Sequence, residues 1–489
     1  MQYNFKTEPY QHQRDALEAS HNKSNWAYFM EMGCGKSKVL IDNMAWLHNQ
    51  GKIDLAIIVA PKGVYRNWVL KEIPIHLPDD VEHEVITWRS SPNKTQQGEL
   101  KDAITSDNGL KIFVVNVEAF TSQKLLKYIS ALIKGKKFLL TVDESTVIKN
   151  PKAKRTKTLT ALGRNAKYKR ILTGSPITKS PMDLFSQCNF LSPDLLGHTS
   201  YYSFQNRYAI TKTMRMGAHS FEQIVGYRNL DELSQRLKTF SSRVLKEDCL
   251  DLPDKSYGVR YVQMTPEQAR HYRTLKDYAL AILDDEQVTA TEAMTQMLRL
   301  QQVLCGYLPT DEGTMVDIPS NRVNAMLEAL QEIPGKVIIW ARFRKDIEQI
   351  TEKLCEVYGA NAARSYYGGT SEEERDSLVQ DFQDPYHETR FFVGNPQTAG
   401  YGLTLTAAHD VIYFSNDFNL ETRVQSEDRC HRIGQTHKVN YIDLVTEGTV
   451  DEHIVKILQN KMKLAGQALG EEVRKWLNEK VGDRSLVKA

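Results

Sequence analysis

Apolar positions along this 489-residue chain cluster into short unbroken runs set between amphipathic stretches. Residues 26–29, 55–60, 111–116, 138–142 and 170–173 are such runs; Pro61 ends the second, and Asp143-Glu144 and Gly174 follow the last two. Runs this short, apolar throughout and not alternating, predict parallel strands buried on both faces. Helical stretches between them predict an α/β layer with helices on both sides of the sheet. From about Asn189 to Gly306 strand-like runs become rare, and helical periodicity over residues 230–240, 266–283 and 292–304 predicts a helical insertion. Strands resume at 336–340, 390–393, 409–414 and 440–445 as a second parallel sheet, and 449–489 is amphipathic and helical. The expected organisation is therefore lobe one at 1–190, helical protrusions and linker at 191–318, lobe two at 319–448, and a helical C-terminal brace at 449–489.

Composition narrows the class. Apolar content of 41% with 25% charged residues describes a soluble globular protein, and there is no apolar run of about 18 residues to span a membrane. Residues 1–6 lack the apolar core of a signal peptide, and the six cysteines are scattered with no C-x-x-C pair. A cytoplasmic, reduced protein without zinc is expected. The net charge of +2 leaves any nucleic-acid contact to local patches.

Two stretches carry chemistry on their own terms. After the 26–29 run the chain breaks at Gly33 and Gly35, then opens a helix at Lys36-Ser37. Such a loop turns backbone N–H groups inward, its lysine reaches outer phosphates, and its serine hydroxyl suits Mg²⁺. The first glycine of the strict G-x-x-x-x-G-K-[ST] pattern is Met30 here, so an ordinary strand-to-helix turn stays open as the alternative. Asp143-Glu144, leaving a strand end, can divide metal holding and water orientation between them, or be a solvated turn. Downstream, Arg429 and Arg432 stand three apart and would share one helix face, from which two guanidiniums can reach a phosphate. Glu427 and Asp428 beside them leave a salt-bridged surface helix open.

The run Gln425-Ser-Glu-Asp-Arg-Cys-His-Arg-Ile-Gly-Gln435 resembles the signature of the Swi/Snf-type ATPases, a branch of helicase superfamily 2. The resemblance extends through Pro9-Tyr-Gln11, Met32-Gly-Cys-Gly-Lys-Ser37, Ala60-Pro-Lys-Gly-Val-Tyr-Arg-Asn-Trp68, Asp143-Glu-Ser-Thr146, Leu172-Thr-Gly-Ser-Pro176 and Gly400-Tyr-Gly-Leu-Thr-Leu405. It implies two RecA-like lobes, ATP and Mg²⁺ as cofactors, and a compact bacterial or phage-like member that moves along double-stranded DNA. By that resemblance Gln11 reads adenine, and Gly33, Cys34, Gly35, Lys36, Ser37, Lys38 and Gly402 bind the nucleotide. Ser37 and Asp143 serve the metal, Asp143 through water. Glu144 is the general base, and Gln425, Arg429 and Arg432 come from lobe two, the arginines as fingers. Phosphate contacts to DNA fall to Lys62, Arg66, Asn116, Lys149, Asn150, Arg342, Arg344 and Thr398. Asp143-Glu-Ser-Thr stands where the family has Asp-Glu-x-His, and Met30 where it usually has Asp. The resemblance implies a monomeric, DNA-dependent ATPase serving replication, recombination or repair. A strand-separating DNA or RNA helicase and a nucleotide-gated DNA clamp remain the alternatives.

Overall fold

The computed structural model describes residues 3–62, 64–106, 109–216, 219–284, 290–310, 314–370, 372–399 and 403–470. Two compact units emerge, the first resting mainly on residues 1–210 and 224–251, the second on 252–463.

In the first unit, β1 (Asn25–Met30), β2 (Leu55–Ala60), β3 (His83–Thr87), β4 (Leu110–Asn116), β5 (Phe138–Asp143) and β6 (Tyr168–Leu172) join β9 (Ser241–Val244) in a seven-stranded sheet. Its order is β3-β4-β2-β5-β6-β1-β9 and every pairing is parallel. Between β6 and β9 in the chain, β7 (Ala209–Met216) and β8 (His219–Tyr227) form their own two-stranded sheet. All six residues of β2 and of β5 are buried, as central strands covered on both faces require. Register sets Tyr28 and Asp143 each opposite Leu172, so the ends of β1, β5 and β6 share one edge of the sheet. Ligands of open α/β sheets gather at such carboxyl ends. Arg170 on β6 fastens the elements beneath that edge. Wholly buried, it donates to Asn43 Oδ1 (3.0 Å) on α2 (Lys36–Asn49) and to Ser20 O (3.0 Å), the last residue of α1 (Gln11–Ser20). Its charge is tolerable there because carbonyls surround it.

The second unit is built on β10 (Lys255–Tyr261), β13 (Val337–Trp340), β14 (Ala363–Tyr366), β15 (Phe391–Gly394), β16 (Asp410–Tyr413) and β17 (Val439–Val445), ordered β10-β17-β16-β13-β15-β14 and again all parallel. A short antiparallel pair, β11 (Tyr307–Pro309) and β12 (Met315–Asp317), stands apart. Arg322 ties strand ends to the last helix, donating to Phe414 O, Leu444 O and Asp451 Oδ2 at 2.7, 2.7 and 2.6 Å. That helix, Val450–Leu469, buries Val450, Ile454 and Leu458 with Tyr272, Val303 and Leu304. Residues 471–489 of the expected brace lie outside the described residues.

The α/β reading with two parallel sheets holds. The 191–318 stretch holds the helices foreseen there, and it also contributes β9 to the first sheet and β10 to the second. Both are edge strands, held by backbone pairing on one side only, and so carry no continuous apolar run. No helix among the described residues is long and apolar enough to cross a membrane.

Candidate active site

The glycine loop is braced from both flanks. β1 delivers it from a buried end, and Gly33 (φ +89°) and Gly35 (φ +81°) adopt the left-handed backbone that lets the loop turn back on itself. A Cβ on Gly35 would stand 2.1 Å from Gln13 Nε2, so this position also excludes a side chain on space. Helix α2 starts at Lys36 without a side-chain cap, which leaves its first N–H groups for an anion. From α1, His12 Nε2 lies 2.9 Å from Cys34 O and Gln13 Nε2 donates to the same carbonyl at 3.2 Å. From β9, Arg243 donates to Phe29 O and Gly174 O, both at 3.0 Å, while Glu31 accepts the Lys246 N–H at 3.0 Å. Cys34 Sγ rests 3.7 Å from Cys249 Sγ, and burial pushes the Cys34 thiol well above its usual range.

Gln11, expected to read adenine, is exposed and its amide donates to Asp15 Oδ1 at 2.7 Å. The glutamine that touches the loop is Gln13, two residues on. Lys38 is also turned elsewhere: its Nζ pairs with Asp42 Oδ2 at 3.0 Å and lies over the Phe5 ring. Helical geometry explains this, since residues 38 and 42 are neighbours on one face.

Asp143 and Glu144 stand where the sheet register puts them. The Asp143 carboxylate is buried, with Oδ2 accepting the Trp68 indole N–H (2.8 Å) and Oδ1 the Glu144 N–H (3.0 Å). Glu144 adopts φ 45°, ψ 62°, a left-handed conformation that costs a non-glycine residue of order 1–3 kcal/mol. Its Oε1 is 3.4 Å from Lys36 Nζ and its Oε2 accepts the Thr173 hydroxyl at 3.3 Å. Lys36, Asp143 and Glu144 are thus together, with half-buried Ser37 next in the helix. Trp68 and Thr173 belong to this cluster too. Both lie inside the motif-like strings 60–68 and 172–176, where no local feature assigns them a role.

Burial and the adjacent Glu144 charge raise the Asp143 carboxyl from 3.8 to about 6. A folded-state value above the unfolded one stabilises the fold fully below about 3.8, and that contribution is lost as pH rises through about 6. At pH 7.5 the ionised carboxylate therefore costs about 1–3 kcal/mol. Relative to the parent, Asp143→Asn is expected to gain roughly 2–6 °C in melting temperature between pH 5 and pH 7.5, without nucleotide or metal. Thermal unfolding by circular dichroism measures it, and a pH-independent difference would refute the assignment. Two carboxylates beside the single Lys36 leave net negative charge, which tests the fit of a divalent cation. Among the described residues no three His, Cys, Asp or Glu side chains form a metal cage. Two oxygen donors, Ser37 and Asp143, suit an ion such as Mg²⁺, which keeps waters and substrate phosphates in its shell.

In the second unit the helix Leu420–Glu427 is locked by charge. Arg423 pairs with Glu427 (2.8 Å) and Asp443 (2.6 Å) and lies 3.5 Å above the Tyr413 ring, while Glu427 also takes the Tyr257 hydroxyl at 2.9 Å. Glu427 is buried, so this is not a solvated surface helix. Gln425 is buried on it. Arg429 and Arg432 do not share a helix face, because the helix ends at Glu427. The physical reason is tertiary: Arg429 O accepts the Leu405 N–H at 2.9 Å, drawing the backbone toward that loop. The two side chains converge instead on one acceptor, Leu403 O, at 3.4 and 3.0 Å. Gly402 lies outside the described residues.

The DNA candidates separate into two sets. Lys62, Arg66, Asn150 and Arg344 are exposed, although Arg344 already pairs with Glu348 at 2.7 Å and Asn150 Oδ1 accepts the Lys152 N–H at 2.9 Å. Others are engaged in holding their own loops. Asn116 Oδ1 caps the turn after β4 by accepting Ala119 N–H (2.9 Å), and Lys149 donates to Thr178 Oγ1 (2.6 Å). Arg342 bonds Gln301 and lies 3.6 Å from Asp417. Thr398 is half-buried, its N–H taken by Asn395 Oδ1 at 3.2 Å, while Asn395 Nδ2 donates to Arg342 O at 2.7 Å. Asn395, which sequence reading passed over, thus joins two of the expected contacts.

Residues 16–307, more than half the chain, match the SNF2-related domain, and 321–434 match the helicase conserved C-terminal domain. The SWI/SNF chromatin-remodeling complex subunit snf22 of Schizosaccharomyces pombe is 26% identical over 475 residues, covering 93% of this chain and 27% of its own length. The ISWI chromatin-remodeling complex ATPase ISW1 of Saccharomyces cerevisiae is 25% identical over 482 residues, 94% of this chain and 40% of the relative. This chain therefore spans well under half of either relative. A solved structure described as the Sulfolobus solfataricus SWI2/SNF2 ATPase core in complex with dsDNA is 24% identical, covers 94% of this chain and 93% of its own, and has a TM-score of 0.42.

Proposed function

Because this chain belongs to the SNF2-related family of helicase-like ATPases, we propose that it hydrolyses ATP to drive movement along double-stranded DNA without obligatory strand separation. The observation that carries the hydrolytic half is the cluster of Lys36, Asp143 and Glu144, with Lys36 Nζ 3.4 Å from Glu144 Oε1 at the mouth of a glycine loop. In the reaction, loop N–H groups and Lys36 take the β- and γ-phosphate oxygens, and Lys36 exchanges its Glu144 partner for phosphate. Glu144, released toward the γ-phosphate and kept in orientation by the Thr173 hydroxyl, orients the attacking water and receives its proton at a carboxylate oxygen. Trp68 holds the Asp143 carboxylate in place. Mg²⁺, held by Ser37 and through water by Asp143, would offset phosphate charge. Arg429 and Arg432 supply guanidinium charge to the transferring phosphoryl group.

The DNA half rests on the family and on the exposed cations Lys62, Arg66 and Arg344. Phosphate contacts of this kind give affinity and register without reading sequence. The pathway proposed is replication, recombination or repair. ATP turnover with duplex DNA, single strands and RNA as separate activators tests the reading. Duplex should stimulate most, and a triplex-forming strand should be displaced only with hydrolysable ATP. Strongest stimulation by RNA, or strand separation on a forked duplex, would favour the helicase alternatives.

A further inference from the structure

Beneath Glu144 runs a bonded chain of buried polar groups that hydrolysis, as written above, does not use. Ser145 follows Glu144 directly and is fully buried, and its hydroxyl donates to Gln187 Oε1 at 2.7 Å. Gln187, equally buried on the Asp183–Leu191 helix, gives its two amide hydrogens to Pro176 O and Asp183 O, both at 2.8 Å. Asp183 Oδ2 gathers the N–H groups of Thr178 (2.9 Å), Lys179 (2.7 Å) and Ser180 (3.4 Å) and the Thr178 hydroxyl (3.1 Å). Thr178 Oγ1 in turn accepts Lys149 Nζ at 2.6 Å. The chain therefore starts at the residue after Glu144 and ends on a basic loop.

Glu144 needs such support. Its left-handed backbone persists only if neighbouring bonds over-determine it. The Ser145 hydroxyl is the first side-chain bond past that residue, and its acceptor is an amide whose orientation is itself fixed by two carbonyls. Buried networks satisfied in this way rigidify their surroundings, and one broken link leaves the rest unpaired. We propose that Gln187 is a positioning residue for Glu144, and that the relay through Asp183 lets two separate loops, one bearing Lys149 and the other Lys179, set the placement of that carboxylate. This rests on the reading of Glu144 as the base. A cation drawn from Thr178 toward a phosphate would loosen the Asp183 end and pass the change to the Gln187–Ser145 bond.

The test compares Ser145→Ala, Gln187→Leu and the double variant in the full chain at a temperature where circular dichroism shows all three folded. Gln187→Met replaces the leucine variant if that one fails to fold. Each single variant should lose about ten- to hundredfold in kcat with KM for ATP held within about twofold. The double should be no slower than the worse single, because both break one link. Duplex stimulation should fall with kcat in all three. Parent-like kcat in the folded variants, or losses that multiply, would overturn the proposal. A parent that hydrolyses ATP without responding to duplex DNA sinks the translocase reading alone, since kcat without DNA still decides Gln187. Should the parent hydrolyse no ATP, amide exchange across residues 143–148 decides it. Exchange should quicken at least about tenfold in Gln187→Leu, and unchanged exchange overturns the role.

Discussion

Glu144→Gln is expected to cut ATP turnover by about 10³-fold, of order 4 kcal/mol in the barrier, while ATP still binds. The glutamine keeps the length that reaches Thr173 Oγ1 and fits the same buried site, but it cannot accept the water's proton. Binding survives because Lys36, which lies 3.4 Å from Glu144 Oε1, keeps its charge and loses the competition of that one carboxylate for it. Affinity should therefore match or exceed the parent's. Quenched-flow single turnovers give the chemical step, and a fluorescent ATP analogue gives the affinity. A variant within tenfold of parental turnover would remove Glu144 as the base. Lost turnover together with lost binding would mean the left-handed turn at Glu144 had collapsed.

How much of this was legible in the residues depends on where each element lies. Every strand foreseen from an apolar run is interior to its sheet, or covered as β4 is by β2 and β3. The four unforeseen members of the two large sheets are β3, β9, β10 and β14, and each is an edge. Edge strands leave one hydrogen-bonding side unpaired and here are less completely buried than the interior strands. His83–Thr87 reads polar-apolar, Ser241–Val244 is half-buried throughout, and Lys255–Tyr261 carries two cations. Their stability comes from backbone hydrogen bonds to a neighbour far away in sequence, which no local period records. Within 191–318 the helices were legible and β9 and β10 were not, for the same reason.

The site divides similarly. Residues fixed by backbone topology were legible: Lys36 opens a helix after the loop, and Asp143 closes a strand, so each follows from its own segment. Residues whose role depends on side-chain direction were not. Gln11 and Gln13 sit on one helix turn, and only packing against Cys34 O distinguishes them. Lys38 was drawn to Asp42 by helical spacing that could have been seen, since the two are four apart. Trp68 reaches Asp143 across 75 residues, and Gln187 reaches Ser145 across 42, distances at which sequence holds no signal.

The paired arginines give the second large effect, and the structure now separates them. Arg429 is completely buried, with Nε on Gln425 O at 3.0 Å and Nη1 on Leu403 O, whereas Arg432 is only half-buried. Truncating Arg429 strips hydrogen bonds from buried carbonyls and leaves a cavity, so Arg429→Ala should lower both the second unit's melting temperature and turnover. Arg432→Ala removes less packing and should melt within about 2 °C of the parent, yet lose about 10³-fold or more in ATP turnover, the size of effect a phosphoryl-directed arginine carries. Arg432→Lys tests the chemistry further. A lysine keeps charge but not the planar fork, and should recover little of the loss. Retained nucleotide binding in Arg432→Ala, measured with the same fluorescent analogue, would place its effect on the chemical step. Parental turnover in that variant would instead reduce Arg432 to a tether for the loop at Leu403, and leave Arg429 as the one remaining arginine of this pair to supply guanidinium charge.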